Sequence, residues 1–340
     1  MKRLVVIGGG FAGLTIVRAL CTEFQVTLID SKPFFEFTPG ILHTLVEPNH
    51  MQRIQKSYAS FLKDVVYVQE TVTGITSSFV MCGTQKIPYE YCVIATGSSY
   101  KAPIKEQNVV LASRAHHLHA FHKRMVKANS IVVAGGGLAG VELMGELATH
   151  YPKKQLHMIH PHARLLSAHS SAAARYAEHF LRKRGVQFHF NERLVSVMGT
   201  QAHVSSGKTL SADLVCYCTG IVPLTAFVPP SWKTKRGHII TNAFLQVPRF
   251  PHLFVAGDAN SIAEEKTAQH AERQAQVVVR NIRALEEGEK LQAYTHRVSP
   301  VLISLGKYDG ILEYRKIVMC GWLPAFLKWF VERKEMWKLH

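Results

Sequence analysis

"LVVIGGGFAGLT" occupies Leu4–Thr15, and "IVVAGGGLAGVE" occupies Ile131–Glu142. Each phrase runs a short β-branched strand into a glycine turn and then into a helix. Gly8, Gly10 and Gly13 keep the G-x-G-x-x-G spacing, and Gly135, Gly137 and Gly140 repeat it. The first glycine allows the tight turn, the second lets backbone approach a pyrophosphate, and the third lets helix pack on strand. A diphosphate placed there meets the free N–H groups and positive dipole end of the helix. A lone match is a weak signal, because glycine turns between strand and helix are common. Two matches in the right context read as two dinucleotide sites in one chain, one to hold electrons and one to deliver them.

The flanking sequence agrees. Phe11–Leu20 reads as a helix and Gln25–Ile29 as a strand ending at Asp30; Ser130–Ala134, Leu138–Leu147 and Gln155–Ile159 repeat that order. This is the opening unit of a doubly wound α/β sheet, present twice. "YCVIATG" (Tyr91–Gly97) and "VCYCTG" (Val215–Gly220) are matching buried strands stopped by Thr-Gly. A third landmark, "LFVAGDA" at Leu253–Ala259, runs into Gly257-Asp258. A helix is expected from Thr267 to about Leu285, with Ala271, Ala275, Val278, Val279 and Ile282 on its apolar stripe. Pro103 and Pro223 mark the expected domain boundaries.

The residue closing the second strand distinguishes the two sites. Asp30 supplies a carboxylate that accepts from ribose hydroxyls. The equivalent position in the second unit is His160, followed by His162 and Arg164. No carboxylate there repels a 2′-phosphate and cations are at hand, so NADPH is expected, alongside NADH. A plain solvated basic loop is the alternative.

Composition sets the class. The chain has 340 residues, 47% apolar and 19% charged, with a formal charge of +16. That suits two or three folded domains and favours anionic surfaces or phosphorylated cofactors. The sequence contains no run of about 18 apolar residues, so no transmembrane helix is expected. With a strand expected from Leu4, no glycine after Met1 and Trp337–His340 unlike a prenylation box, no signal peptide, myristoylation or prenylation is expected. The six cysteines read as reduced thiols in an intracellular protein. His116, His117, His119 and His122 read as a solvated helix face, with no metal site.

The glycine phrases, Asp30, Ala95-Thr96-Gly97, Thr219-Gly220 and Ala256-Gly257-Asp258 occur in an order that resembles the two-dinucleotide flavoproteins of the pyridine nucleotide-disulfide oxidoreductase superfamily. Gly140-Val141-Glu142, Phe35–Gly40, Thr267–Ala275 and Ile303–Ile311 look most like type II NAD(P)H:quinone oxidoreductases and the apoptosis-inducing-factor-like ferroptosis suppressors. The resemblance implies a glutathione-reductase-like fold of two Rossmann-like domains plus a short C-terminal α/β segment. Residues 1–104 and 224–295 would form a discontinuous FAD domain, 105–223 the NAD(P)H domain, and 296–340 the C-terminal segment. It implies FAD on Gly8, Gly10, Phe11, Ala12, Gly13, Asp30, Lys32, Pro39, Val72, Thr96, Gly97, Gly257, Asp258, Lys266, Thr267 and Ala268. NAD(P)H would meet Gly135, Gly137, Leu138, Ala139, Gly140, His160, Arg164 and Gly220. Glu142 would lie near nicotinamide and flavin, with Gln269 and Lys307 on the acceptor side.

Disulfide reductases of this superfamily carry a Cys-x4-Cys pair after the first unit, but Phe34–Met81 holds no cysteine. Electrons are therefore expected to leave the flavin directly, for a quinone. Cys216 and Cys218 read as core. In the C-terminal stretch Trp322, Phe326, Trp329, Phe330, Val331, Met336 and Trp337 are expected on one helical side, with Lys328, Arg333, Lys334 and Lys338 interleaved. That pattern fits a helix lying in a membrane interface; packing on the body or on a second subunit is the alternative. Two rival activities stay open. One is reduction of a protein acceptor of the ferredoxin or rubredoxin type. The other is a redox signalling protein that binds nucleic acid, ranked last because no nucleic-acid motif is present.

Overall fold

A computed structural model describes residues 1–99 and 111–339, with side chains of 111–116 outside the description. The expected boundary at Pro103 and residue 104, and the side chain of His116, lie outside the described residues.

Among the described residues a six-stranded sheet runs in the order Gln246–Val247, Phe250–Val255, Tyr91–Ile94, Arg3–Ile7, Gln25–Asp30 and Val66–Gln69. All neighbours are parallel except the outermost pair, Gln246–Val247 on Phe250–Val255. A strand from late in the chain thus completes a sheet begun at Arg3. The second sheet is a smaller copy: Gln187–Phe190, Gln155–His160, Ser130–Ala134 and Leu214–Tyr217, all parallel. Their central strands are apolar on both faces, as strands covered on both sides are. Each unit also carries an antiparallel three-stranded sheet, Val72–Pro88 in the first and Leu194–Ser211 in the second. The pair Ser98–Ser99 with Val222–Pro223 ties the two units where the proline break was expected.

The helices match the sequence reading closely. Phe11–Leu20 is helical, Leu138–His150 continues three residues beyond the expected end, and Ala268–Glu287 follows the N-cap Thr267. That last helix stops at Gly288, whose left-handed conformation (φ 68°) closes the terminus. A third antiparallel sheet, Val301–Ser304, Gly310–Tyr314 and Ile317–Gly321, is capped by the C-terminal helix Trp322–Trp337. One continuous core of side chains unites both parallel sheets, the helix Ile41–Val46 and the C-terminal segment. Cys216 and Cys218 lie inside it, and burial pushes the Cys216 thiol up to about 12.

Glu146 is buried, and His43 of the helix Ile41–Val46 meets it at 3.1 Å, joining the two units.

A Cβ at Gly140 would lie 1.8 Å from the Gly135 carbonyl oxygen. Gly140→Ala is expected to cost about 1–3 kcal/mol, because helix and strand have to separate. Thermal unfolding of the ligand-free chain measures this, and an unchanged Tm contradicts the packing role.

Candidate active site

Both glycine turns are built to the same plan. Gly8 (φ 99°) and Gly135 (φ 111°) are left-handed. A Cβ on them would lie 2.5 Å from the Ala95 oxygen and 2.2 Å from the Cys218 oxygen. Gly10 and Gly137 then N-cap their helices with no side-chain cap, and a Cβ on either would meet nothing within 4 Å. The free N–H groups therefore face open space, the arrangement a pyrophosphate needs.

At the first cradle Asp30 is fixed by donors. Its Oδ2 accepts from the Gly9 N–H at 2.6 Å and the Tyr58 hydroxyl at 3.2 Å, and its Oδ1 accepts from the Lys32 N–H at 2.8 Å. The carboxylate still borders the cavity, oriented for ribose hydroxyls. At the second cradle His160 takes the same structural part: its Nδ1 accepts from the Gly136 N–H at 3.0 Å. Nε2 therefore carries the ring hydrogen, and it is buried without a partner among the described residues. Burial, then the neighbouring His162, lowers the His160 pKa to about 4, so the ring is neutral at pH 7. His160 thus stands at the second cradle as an uncharged imidazole whose Nε2 is buried. Arg164 does not fill the cationic role expected of it. Its guanidinium donates to the carbonyls of Ser167, His169 and Ser170 and closes its own loop.

A cavity of about 740 Å³ opens beside the first cradle. Gly8, Gly10, Phe11, Ala12, Asp30, Lys32, Pro39, Val72, Thr96, Gly97, Gly257, Asp258, Lys266, Thr267 and Ala268 all border it, with Gly13 behind the turn. Leu138, Ala139 and Glu142 reach the same space from the second cradle. Gly135, Gly137, Gly140, His160, Arg164 and Gly220 do not border it. The helix Ala268–Glu287 points its N-terminus at the cavity, favouring negative charge there. Lys266 is held by the Asn260 and Ile262 carbonyls, and burial lowers its pKa. These features fit FAD: two anion-ready helix ends, a ribose carboxylate, and room for a flat ring system between them.

Gln269 lies on the cavity wall, but Lys307 does not. It sits exposed on a turn, its ammonium 5.5 Å from the Tyr308 ring centroid. Lys328 of the C-terminal helix does reach the cavity, and it donates to Glu142 Oε1 and, at 3.0 Å, to Ser304 Oγ. The Ser304 N–H also donates to Glu142, at 3.1 Å. Lys328, Val331 and Glu335 share the inner face of the C-terminal helix by i, i+3, i+7 spacing, and all border the cavity. Val331 and Met336 therefore leave the outward apolar side to which their sequence positions had been assigned; both pack on the core. Trp322, Phe326, Trp329, Phe330 and Trp337 remain as an exposed stripe.

One dinucleotide cradle on the cavity, and a second whose helix reaches the same space through Leu138, Ala139 and Glu142, define a flavin-dependent pyridine-nucleotide oxidoreductase. Residues 2–275 match the pyridine nucleotide-disulphide oxidoreductase family, and the chain belongs to it. Ferroptosis suppressor protein 1 of Xenopus tropicalis is 28% identical over 331 residues, covering 92% of this chain and 88% of that protein. Among solved structures, the sulfide:quinone oxidoreductase of Aquifex aeolicus superposes with a TM-score of 0.86 at 20% identity, covering 100% of this chain and 91% of that one. NDH2 of Plasmodium falciparum, solved with NADH, gives a TM-score of 0.84 at 14% identity, with 99% and 97% covered.

A neutral His160 contributes stability fully above its ordinary value of 6.5, and that contribution is lost as pH falls toward about 4. His160→Asp would restore a ribose-binding carboxylate and repel a 2′-phosphate. It is expected to shift the ratio of kcat/KM toward NADH over NADPH by roughly tenfold. An unchanged ratio would remove His160 from donor selection.

Proposed function

We propose that this chain is an NAD(P)H:quinone oxidoreductase. The observation that carries the reading is the shared cavity, in which the nicotinamide-side residues Leu138, Ala139 and Glu142 face an apolar wall of Leu42, Val301, Leu302 and Val331. No cysteine borders it among the described residues, so the reaction reads as direct transfer without a dithiol. The quinone reading is also favoured by likeness to proteins whose names include sulfide:quinone oxidoreductase and NDH2.

Bound FAD would supply the redox chemistry, taking hydride from the nicotinamide and passing two electrons to the acceptor. The chain's part is placement and charge. Asp30 and the first glycine loop would hold the adenosine end of FAD, and the helix at Ala268, whose N-terminus borders the cavity, would favour negative charge on its ring system. Glu142 and Lys328 put a matched pair of charges on the cavity wall, so the site gains polarity without net charge. Pro39, Leu42 and Val331 exclude water and suit an apolar acceptor. Both NADH and NADPH are accepted in this reading, because His160 is uncharged.

Steady-state oxidation of NADPH with a short-chain ubiquinone analogue tests the acceptor. Turnover is expected; a flavin-loaded preparation inactive with every quinone would refute it.

The same reading places the protein at a membrane surface. No helix is long and apolar enough to cross a membrane among the described residues. The outward stripe of the C-terminal helix is aromatic, Arg333 lies over the Trp329 ring at 5.2 Å, and the chain carries +16. Aromatic anchors beside basic groups suit an anionic lipid interface. A Trp329→Ser/Phe330→Ser double variant is expected to bind anionic vesicles at least about tenfold more weakly, since each buried aromatic contributes about 1.5–3 kcal/mol. Equal cosedimentation of parent and variant would exclude this stripe as the anchor.

A further inference from the structure

Reduction of a quinone leaves one proton to be accounted for. The balanced reaction is NAD(P)H + H⁺ + quinone → NAD(P)⁺ + quinol. The nicotinamide supplies the electron pair and one proton as hydride. The second proton comes from water and has to reach an apolar cavity.

One part of the cavity wall has titratable groups, one of them exposed, within reach of a single bridging water. Ser299 and His270 both border the cavity and are buried. Ser299 Oγ lies 3.3 Å from His270 Nε2 and accepts from the Arg273 guanidinium at 2.7 Å. His270 Nδ1 faces the Glu265 carbonyl oxygen at 2.7 Å. That nitrogen must donate, so in the neutral ring Nε2 is the acceptor and the Ser299 hydroxyl points at it. Behind His270 the ring of His296 lies 5.3 Å away, centroid to centroid. His296 is 51% exposed, and its Nδ1 is 2.7 Å from Glu264 Oε2, a carboxylate whose side chain is 0% exposed. Glu264, His270 and His296 each place a nitrogen or oxygen within 4.8 Å of the others, the span of one bridging water. A divalent cation suits the trio poorly. Glu264 already accepts from Tyr294, Gln274 and His296, and Arg273 sets a fixed positive charge against Ser299.

We propose that Ser299 and His270, fed from solvent through His296 and Glu264, deliver the second proton to the reduced acceptor. The proposal rests on the quinone reading. While His270 is neutral, the Ser299 hydrogen is committed to Nε2. Once His270 takes a proton, its Nε2–H donates to Ser299 Oγ, and the hydroxyl hydrogen turns to the acceptor oxygen. The Ser299 O–H bond then breaks as the acceptor O–H forms. The Nε2 proton passes to Oγ, and the ring returns to neutral. Ser299 touches the acceptor, and His270 acts through it. The charged and titratable groups around His270 are Glu264, Glu265 and Lys266 before the helix, Glu272 and Arg273 on it, and Tyr294, His296 and Arg297 beyond it. Glu272 is the rival donor. It borders the cavity, and burial, then Glu335, raises its pKa, but no hydrogen bond joins it to another titratable group among the described residues.

The test uses the flavin-loaded chain with two acceptors: a short-chain ubiquinone, which takes protons, and ferricyanide, which takes electrons alone. His270→Asn keeps a donor toward the Glu265 carbonyl and removes the titratable nitrogen. H270N and S299A are expected to lower quinone kcat by about 100-fold with little change in KM, while the ferricyanide rates stay within about twofold of the parent. H270N should also lose the histidine limb of the quinone pH profile. Independently of turnover, ring-nitrogen NMR of the flavin-free chain should find His270 as the Nδ1–H tautomer, and S299A should shift its Nε2 resonance. Equal losses with both acceptors would mean a structural role and overturn the proposal. So would loss of the quinone reaction in E272Q and not in H270N, or an Nε2–H tautomer at His270. A parent that reduces ferricyanide and no quinone would instead overturn the quinone reading beneath it.

Discussion

The close approach of the Gly8 and Gly135 turns to the strand beside them sets everything else. With a Cβ, either loop would strike a carbonyl of the neighbouring strand. Without one, each loop drops low enough for the following helix to aim its free N–H groups at an anion. The cost of unpaired helix-end donors is offset only when a phosphate, or water, fills the space. Both sheets, both helices and the late-arriving strand Phe250–Val255 support that geometry.

Duplication gives two cradles, and divergence gives them different tasks. Asp30 and His160 occupy matching strand ends and receive matching backbone donors from Gly9 and Gly136. A carboxylate accepting from ribose suits a resident nucleotide. The second cradle has a neutral imidazole at the matching place, so no carboxylate stands there. The C-terminal helix then completes the site: Lys328 reaches Glu142 on the second unit, while Val331 and Glu335 wall the cavity. Its outer face stays aromatic and exposed. One helix therefore links a surface stripe to the charge pair at the cavity.

What the sequence made legible follows from range. The glycine turns, Asp30 and the helix starts are local, set by residues within a turn or two, and they were readable. Lys328 was visible only as one lysine among several, because its partner Glu142 is far away in the chain. Periodicity could have found it: Lys328, Val331 and Glu335 recur on one face, opposite Trp322, Phe326 and Trp329. The same omission put Val331 and Met336 on the wrong side. Arg164 looked like a phosphate ligand because sequence does not show that its own loop needs a donor for three carbonyls. Lys307 was assigned by the surrounding phrase, yet its turn faces solvent. Tyr58, which locks the first loop through the Gly9 carbonyl and Asp30, carries no motif at all.

The central claim is that one cradle retains a flavin while the other brings a nicotinamide within hydride reach of it. Anaerobic titration of the purified protein with NADPH, followed by its visible spectrum, tests that claim most directly. The account predicts a yellow preparation whose flavin absorbance bleaches stoichiometrically and returns when an oxidant is added. A colourless protein that FAD does not reconstitute, or a bound flavin that neither NADPH nor NADH bleaches, would contradict it.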